Sequence, residues 1–288
     1  QNYFDNQKIL ENKEELKEFF RLLSIISINH HRYDHFFDKI DKIIDFFKTE
    51  IKQTFSNIDI FNIFKKNKLL ILLLIEEGII TINEEILEIM DQNYKNFFYP
   101  EIQKIQQNEQ ESKEIPTDFY LKRRSGENDS YICELIRNDN DIDFISFINK
   151  NNISINMEIQ DSIFETNSFL LKHKPTLIEY SAFFGSIKIF DYLRMNGANL
   201  NQILHLYAIH GNNAEINQIL EESKIERNNS IYDDCFKESV KCHHNEFALY
   251  YKNNFNIKIY DNSNYLKNEI SFGFRYSNFK YIPNELTE

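Results

Sequence analysis

The stretch Thr176–Asn201, TLIEYSAFFGSIKIFDYLRMNGANLN, decides the architecture. Its opening Thr176-Leu-Ile-Glu179 has the form of a capping box: the threonine oxygen accepts from a first-turn amide while Glu179 reaches back to the Thr176 amide. Ala182 is small enough for that helix to pack tightly on a neighbour, and Gly185 suits a left-handed turn. Ile189, Phe190 and Leu193 then give a second helix its buried stripe, and Gly197 closes it. The unit reads as two short helices joined by a tight turn.

The same logic recurs on either side. Downstream, Leu204-His-Leu-Tyr-Ala-Ile-His-Gly211 is followed by Ile216, Ile219 and Leu220, with the turn placed at Gly211. Further on, His243-His244 stands where another turn falls, ahead of Asn245-Glu-Phe247. Upstream, Ile136-Arg-Asn-Asp139 with Phe144, Phe147 and Ile148 reads as a preceding unit, and Ile63–Gly78 as a degenerate one. Ser162-Ile-Phe-Glu165 and Ser230-Ile-Tyr-Asp233 have the form of two more capping boxes, the second weaker because Asp is a shorter return arm. Recurrence at this scale is the mark of a repeat architecture.

Residues 1–100 read as a helical section. Phe36, Ile40, Ile44, Phe47, Ile51 and Phe55 share one stripe of a single helix. Residues 101–129 read as a polar helix and connection, interrupted by Pro116; the basic knot Lys122, Arg123, Arg124 reads as a solvated surface. Repeats occupy 130–260, and 261–288 form a C-terminal tail.

Composition narrows the classes. Six Gly and four Pro in 288 residues are too few for the corners of a β-sandwich or propeller. Neither G-x-G-x-x-G nor G-x-x-x-x-G-K-[ST] occurs, which removes the common phosphate loops. A hydrophobic fraction of 42%, with 26 Phe and 16 Tyr, excludes a disordered chain. The net charge of −12 opposes non-specific binding to nucleic acid or to an anionic membrane. The longest apolar run, Leu69–Ile75, lies between Lys68 and Glu76 and falls far short of the roughly 20 residues that span a bilayer. Cys133, Cys235 and Cys242, odd in number and widely spread, fit reduced thiols in a soluble cytoplasmic protein. The chain opens on Gln1 rather than Met, as one with a missing or processed N-terminus does.

Thr176–Asn201 resembles the ankyrin repeat, T-P-L-H-x-A-A-x-x-G-H-x-x-I/V-V-x-x-L-L-x-x-G-A-D-x-N, without a gap. Thr176, Ala182, Gly185, Ile189, Phe190, Leu193, Gly197, Ala198 and Asn201 fall where that pattern has their types; Leu177 and Glu179 replace its Pro and His. With Gly126–Cys133, Ser162–Leu170, Leu206–Gly211 and Lys237–Asn245, this unit is similar to a divergent ankyrin-repeat family of parasitic protists that carries a domain of unknown function. The resemblance implies an all-α, ankyrin-like helical solenoid, preceded by the N-terminal helical section. It also implies a non-enzymatic scaffold for protein–protein interaction, with no cofactor. Gly185 and Gly211 are 26 residues apart, against about 33 for an ankyrin unit, so the projecting hairpins are shortened. A partner protein would then meet the inner helices, with Tyr180, Phe183, Phe184 and Tyr207 as candidate contacts; those aromatics equally suit a core.

Cys242-His243-His244, with Cys235 seven residues earlier, is the cluster that invites metal or nucleophile chemistry. Adjacent helical residues point about 100° apart, so these three do not converge on one ion, and no metal ligands are assigned. A hydrolase or metal-dependent enzyme using Cys242 with His243 or His244 is the alternative; a purely structural helical array without a dedicated partner is another. His205 and His210 suit core packing and turn hydrogen bonding, and Glu221-Glu222 and Asp233-Asp234 suit helix starts or solvent.

Overall fold

A computed structural model describes residues 12–29, 36–105, 115–223, 225, 229–255, 257, 273–278 and 280. Among the described residues the regular elements are all helical; a lone β-bridge joins Glu158 to Thr176. The chain divides into two compact units: Gln1–Asn128 with Ser162–Lys172, and Asp129–Asp161 with His173–Glu288.

The first unit opens with α1 (Lys13–Asn29), α2 (Phe36–Phe46), α3 (Lys48–Thr54), α4 (Asn57–Phe64) and α5 (Lys68–Glu76). It continues with α6 (Glu84–Ile89), α7 (Gln92–Phe97), α8 (Tyr99–Ile105) and α9 (Thr117–Ser125). The expected stripe from Phe36 to Phe55 keeps its period but not its single helix. The backbone departs from helical angles at Phe47 (φ −95, ψ 9), while Phe47 N still bonds Ile43 O and Ile51 N still bonds Phe47 O. Ile40, Ile44, Phe47, Ile51 and Phe55 therefore all stay buried. Phe20 meets Phe47 edge-on at 5.7 Å and Phe64 at 5.8 Å between ring centroids, so rings fill the space between helices.

Two sequence expectations fail in this unit. The basic knot is not wholly solvated: Arg123 is buried, and its guanidinium grips the Glu101 carboxylate through two bonds of 2.6 and 3.0 Å. A planar fork matched to a carboxylate lets the charge leave water. Nor does Ser162-Ile-Phe-Glu165 form a capping box, because the Glu165 carboxylate accepts from the amides of Asn167 (2.7 Å) and Asn128 (3.3 Å) instead.

In the second unit, α10 (Tyr131–Arg137) pairs with α11 (Asp141–Lys150). Beyond α12 (Ser168–His173), which but for His173 belongs to the first unit and whose start is capped by Asn167, come α13 (Leu177–Phe184) with α14 (Ile187–Met195), and α15 (Leu204–Gly211) with α16 (Ala214–Glu222). The last pair is α17 (Asn229–Lys241) with α18 (Asn245–Asn254). First helices pack serially, α10 on α13, α13 on α15 and α15 on α17; α11 packs on α14 and α14 on α16.

Each pair is joined at a left-handed residue: Asp139 (φ 47), Gly185 (φ 69), Asn212 (φ 48) and His243 (φ 57). The capping box at Thr176 and Glu179 is formed, and the Glu179 carboxylate is further held by Asn201 Nδ2 at 2.9 Å. The turn assigned to Gly211 belongs to Asn212. Gly211 ends α15, where an added Cβ would lie 2.2 Å from the Ala182 carbonyl oxygen, so its role is close approach between helices. Ser230 lies within α17 rather than ahead of it.

Neighbouring turns are tied together. Ser186 Oγ donates to Ile136 O, the Asp139 carboxylate accepts from the amides of Lys188 and Ile189, and Asn213 Nδ2 donates to Gly185 O. The expected C-terminal tail is not all tail. After a helical stretch at 273–275, Ser277 is left-handed (φ 57) and Asn278 N reaches back to Gly273 O, as Ser186 N does to Ser181 O and His244 N to Ser239 O. Asn278 Nδ2 then donates to Val240 O at 2.9 Å, so this turn docks on the end of α17.

Candidate functional site

The junction of α15 with α17 carries a polar cluster beside the apolar contact of Ile209 with Phe236 and Val240. The last turn of α17 and the residue after it place Glu238, Lys241 and Cys242 on one side at three- and four-residue spacing, and His210, near the end of α15, faces them. His210 Nε2 lies 2.8 Å from Glu238 Oε1, and Lys241 Nζ lies 2.7 Å from the same oxygen. Cys242 Sγ sits 3.6 Å from His210 Nδ1 and 4.0 Å from Glu238 Oε1. The imidazole also stacks on the Phe183 ring, with centroids 4.7 Å apart.

Burial and charge set the protonation of the group. Burial pushes the Glu238 carboxyl up, but the His210 hydrogen bond and the charges of His210 and Lys241 outweigh it and hold its pKa at about 2. Burial works against the Lys241 ammonium, and the Glu238 carboxylate overcomes it, so that pKa is raised. The Cys242 thiol is pushed well above its ordinary value, chiefly by burial and then by the Glu238 charge. An ionised carboxylate can only accept, so His210 Nε2 carries the hydrogen of that bond, and Nδ1 is the ring nitrogen that faces Cys242.

The sequence-predicted residues scatter. Cys242 belongs to this cluster, whereas the adjacent histidines do not: His243 takes the left-handed turn and places Nε2 2.8 Å from Tyr276 O, and His244 occupies the N-cap of α18. Cys235 is buried in α17, and all three cysteines are free thiols. The candidate partner contacts lie in the core, with Tyr180 and Tyr207 each 1% exposed, Phe183 fully buried and Phe184 8% exposed. Their packing explains this: Tyr180 accepts a bond from Arg137 and leans on Phe184, and α13 lies between α10 and α15. Of the two readings of these aromatics, core packing describes them, and partial exposure is set aside. The sequence reading missed Glu238 and kept His210 separate from Cys242. Aligning the turn residues Asn212 and His243 would have found them, since His210 and Lys241 each stand two residues before their turn.

Among the described residues, no helix is long and apolar enough to cross a membrane. Comparison with family models, characterised proteins and solved structures finds no match for this chain.

Proposed function

We propose that the second unit is an ankyrin-like helical solenoid with shortened hairpins, and that the chain acts as a non-enzymatic scaffold for another protein. One observation carries this reading: four helix pairs succeed one another, each closed by a left-handed residue, with first helix packed on first helix along the series. Repeats that contact only their neighbours present an extended surface well suited to protein recognition. The step from that architecture to a role is fold analogy. The partner is a protein, met in the cytoplasm. Because Tyr180, Phe183, Phe184 and Tyr207 serve the core, recognition falls to exposed apolar side chains such as Tyr131, Ile142 and Met195.

The thiol-enzyme alternative has one observation in its favour, the order thiol, imidazole, carboxylate in Cys242, His210 and Glu238. A nucleophile must reach substrate and ionise, and Cys242 is 1% exposed with its thiol held neutral, so this reading ranks below the scaffold. Proximity labelling with the full chain in its native cells separates the readings. The scaffold predicts reproducibly enriched proteins that are lost from a Tyr131→Asp, Met195→Asp variant of unchanged circular dichroism. Enrichment no greater than from a size-matched control chain would sink it.

A further inference from the structure

We infer that His210, Glu238 and Cys242 form a structural binding site for a zinc-class divalent cation, a site that goes beyond the scaffold reading and does not depend on it. The donor set is the first ground. An imidazole nitrogen, a thiol sulfur and a carboxylate oxygen, one from each residue, lie within 4.8 Å of one another. These are the three donor types that zinc takes, and softer sulfur with imidazole disfavours magnesium or calcium.

Geometry is the second ground. Zinc–sulfur and zinc–nitrogen bonds of about 2.3 and 2.0 Å at a tetrahedral angle put the two donors roughly 3.6 Å apart. Cys242 Sγ and His210 Nδ1 are 3.6 Å apart. Glu238 Oε1, 4.0 Å from Sγ and bonded to His210 Nε2, completes the face by leaving that nitrogen and turning toward the Nδ1 side. Charge is the third. Loading removes the Cys242 proton to solvent, and a thiolate with a carboxylate then neutralises a dication, with neutral His210 as the third donor. Lys241, which pairs with Glu238, is the group the cation competes with.

The site occupies a meaningful place in the chain. At the neighbouring junctions Ser186 and Asn213 tie one turn to the next with neutral hydrogen bonds to main-chain carbonyls; between α15 and α17 the link runs through His210 and Glu238. A cation there would clamp two successive helix pairs. Because Cys242 is buried and the other two donors are half-buried, the ion enters as the helices close, and metal binding adds to folding.

The test refolds the full chain with zinc, removes free metal by gel filtration and counts bound metal by mass spectrometry. About one equivalent per chain is expected. Cobalt in place of zinc should give a thiolate-to-cobalt absorption band in the near ultraviolet. Cys242→Ser should abolish the band and the tight equivalent, and His243→Ala, His244→Ala should keep both. Should Cys242→Ser fail to fold, Glu238→Gln replaces it, with an expected loss of affinity of at least tenfold. A folded wild-type chain with substoichiometric zinc and no band, or a band surviving both substitutions, overturns the proposal and leaves the group an ion pair. Either outcome leaves partner enrichment, which is read without added metal, to decide the scaffold reading separately.

Discussion

The two units use helices of similar length, yet they bring backbones together by different means. In the first, rings keep helices apart, and buried cations stand among them: Lys68 lies over Phe97 and Tyr94, and Arg123 over Phe119 and Tyr120. In the second, a missing side chain lets α15 touch α13, and turn residues bond across successive pairs. The packing of α15 on α13 therefore depends on backbone contact that tolerates no added atom, whereas the first unit has side chains that yield.

The largest expected effect tests that contrast directly. Gly211→Ala puts a Cβ 2.2 Å from the Ala182 carbonyl and 3.0 Å from Gly185 N, so whole helices must part; a loss of about 3 kcal/mol is expected. Gly126→Ala in the first unit meets chiefly the Leu69 side-chain ends, at 2.6 and 2.9 Å, which can rotate away. Its left-handed φ of 66 then contributes about 1–2 kcal/mol. Urea midpoints of the two variants rank them; equal losses, or a larger one for Gly126→Ala, would break the comparison.

Much of the second unit was legible because its cues are local. Thr176 and Glu179 are three residues apart, and Gly185 declares a turn by type alone. Gly211 misled because glycine serves both a left-handed turn and a close approach, and only the placement of Ala182 distinguishes them. The box at Ser162 misled because Glu165 found amides at Asn167 and Asn128, the latter distant in sequence. Arg123 escaped for the same reason, its partner Glu101 lying 22 residues away. The candidate site was half legible: Cys242 stood out, while His210 and Glu238 meet through the packing of α15 on α17.

The next effect is one of pH. Burial depresses the Lys68 pKa to about 8, with Asp91 and Glu165 opposing it. Between about 8 and its ordinary 10.5 the unfolded chain holds a proton that the folded chain does not, so stability rises with pH through that window. The slope is at most about 1.4 kcal/mol per pH unit. Lys68→Met should remove this alkaline gain, read as the change in urea midpoint between pH 8 and pH 10. The second unit should respond at the other end. Glu238, held down to about 2, contributes stability that is complete above its ordinary 4.5 and is lost as pH falls toward 2, and Glu238→Gln should flatten that acid slope. A Lys68→Met chain that keeps the whole alkaline rise would move the source elsewhere.

The smallest effect compares two capping boxes, one in each unit. Ser56 and Asp59 cap α4 at the surface, whereas Thr176 and Glu179 cap α13 with Glu179 buried and also bonded to Asn201. Removing either cap hydroxyl frees one first-turn amide, for which about 1 kcal/mol is typical. Water can satisfy the amide freed by Ser56→Ala, which should cost nearer half that. At Thr176 the same truncation also removes the hydroxyl that donates to a buried carboxylate, so Thr176→Ala should cost more than 1 kcal/mol. The extra loss should vanish in a cycle that adds Glu179→Gln, because the carboxylate is what couples the cap to Asn201 in the connection between α14 and α15. Equal costs at the two boxes would mean that α13 draws no more from its cap than an exposed helix does.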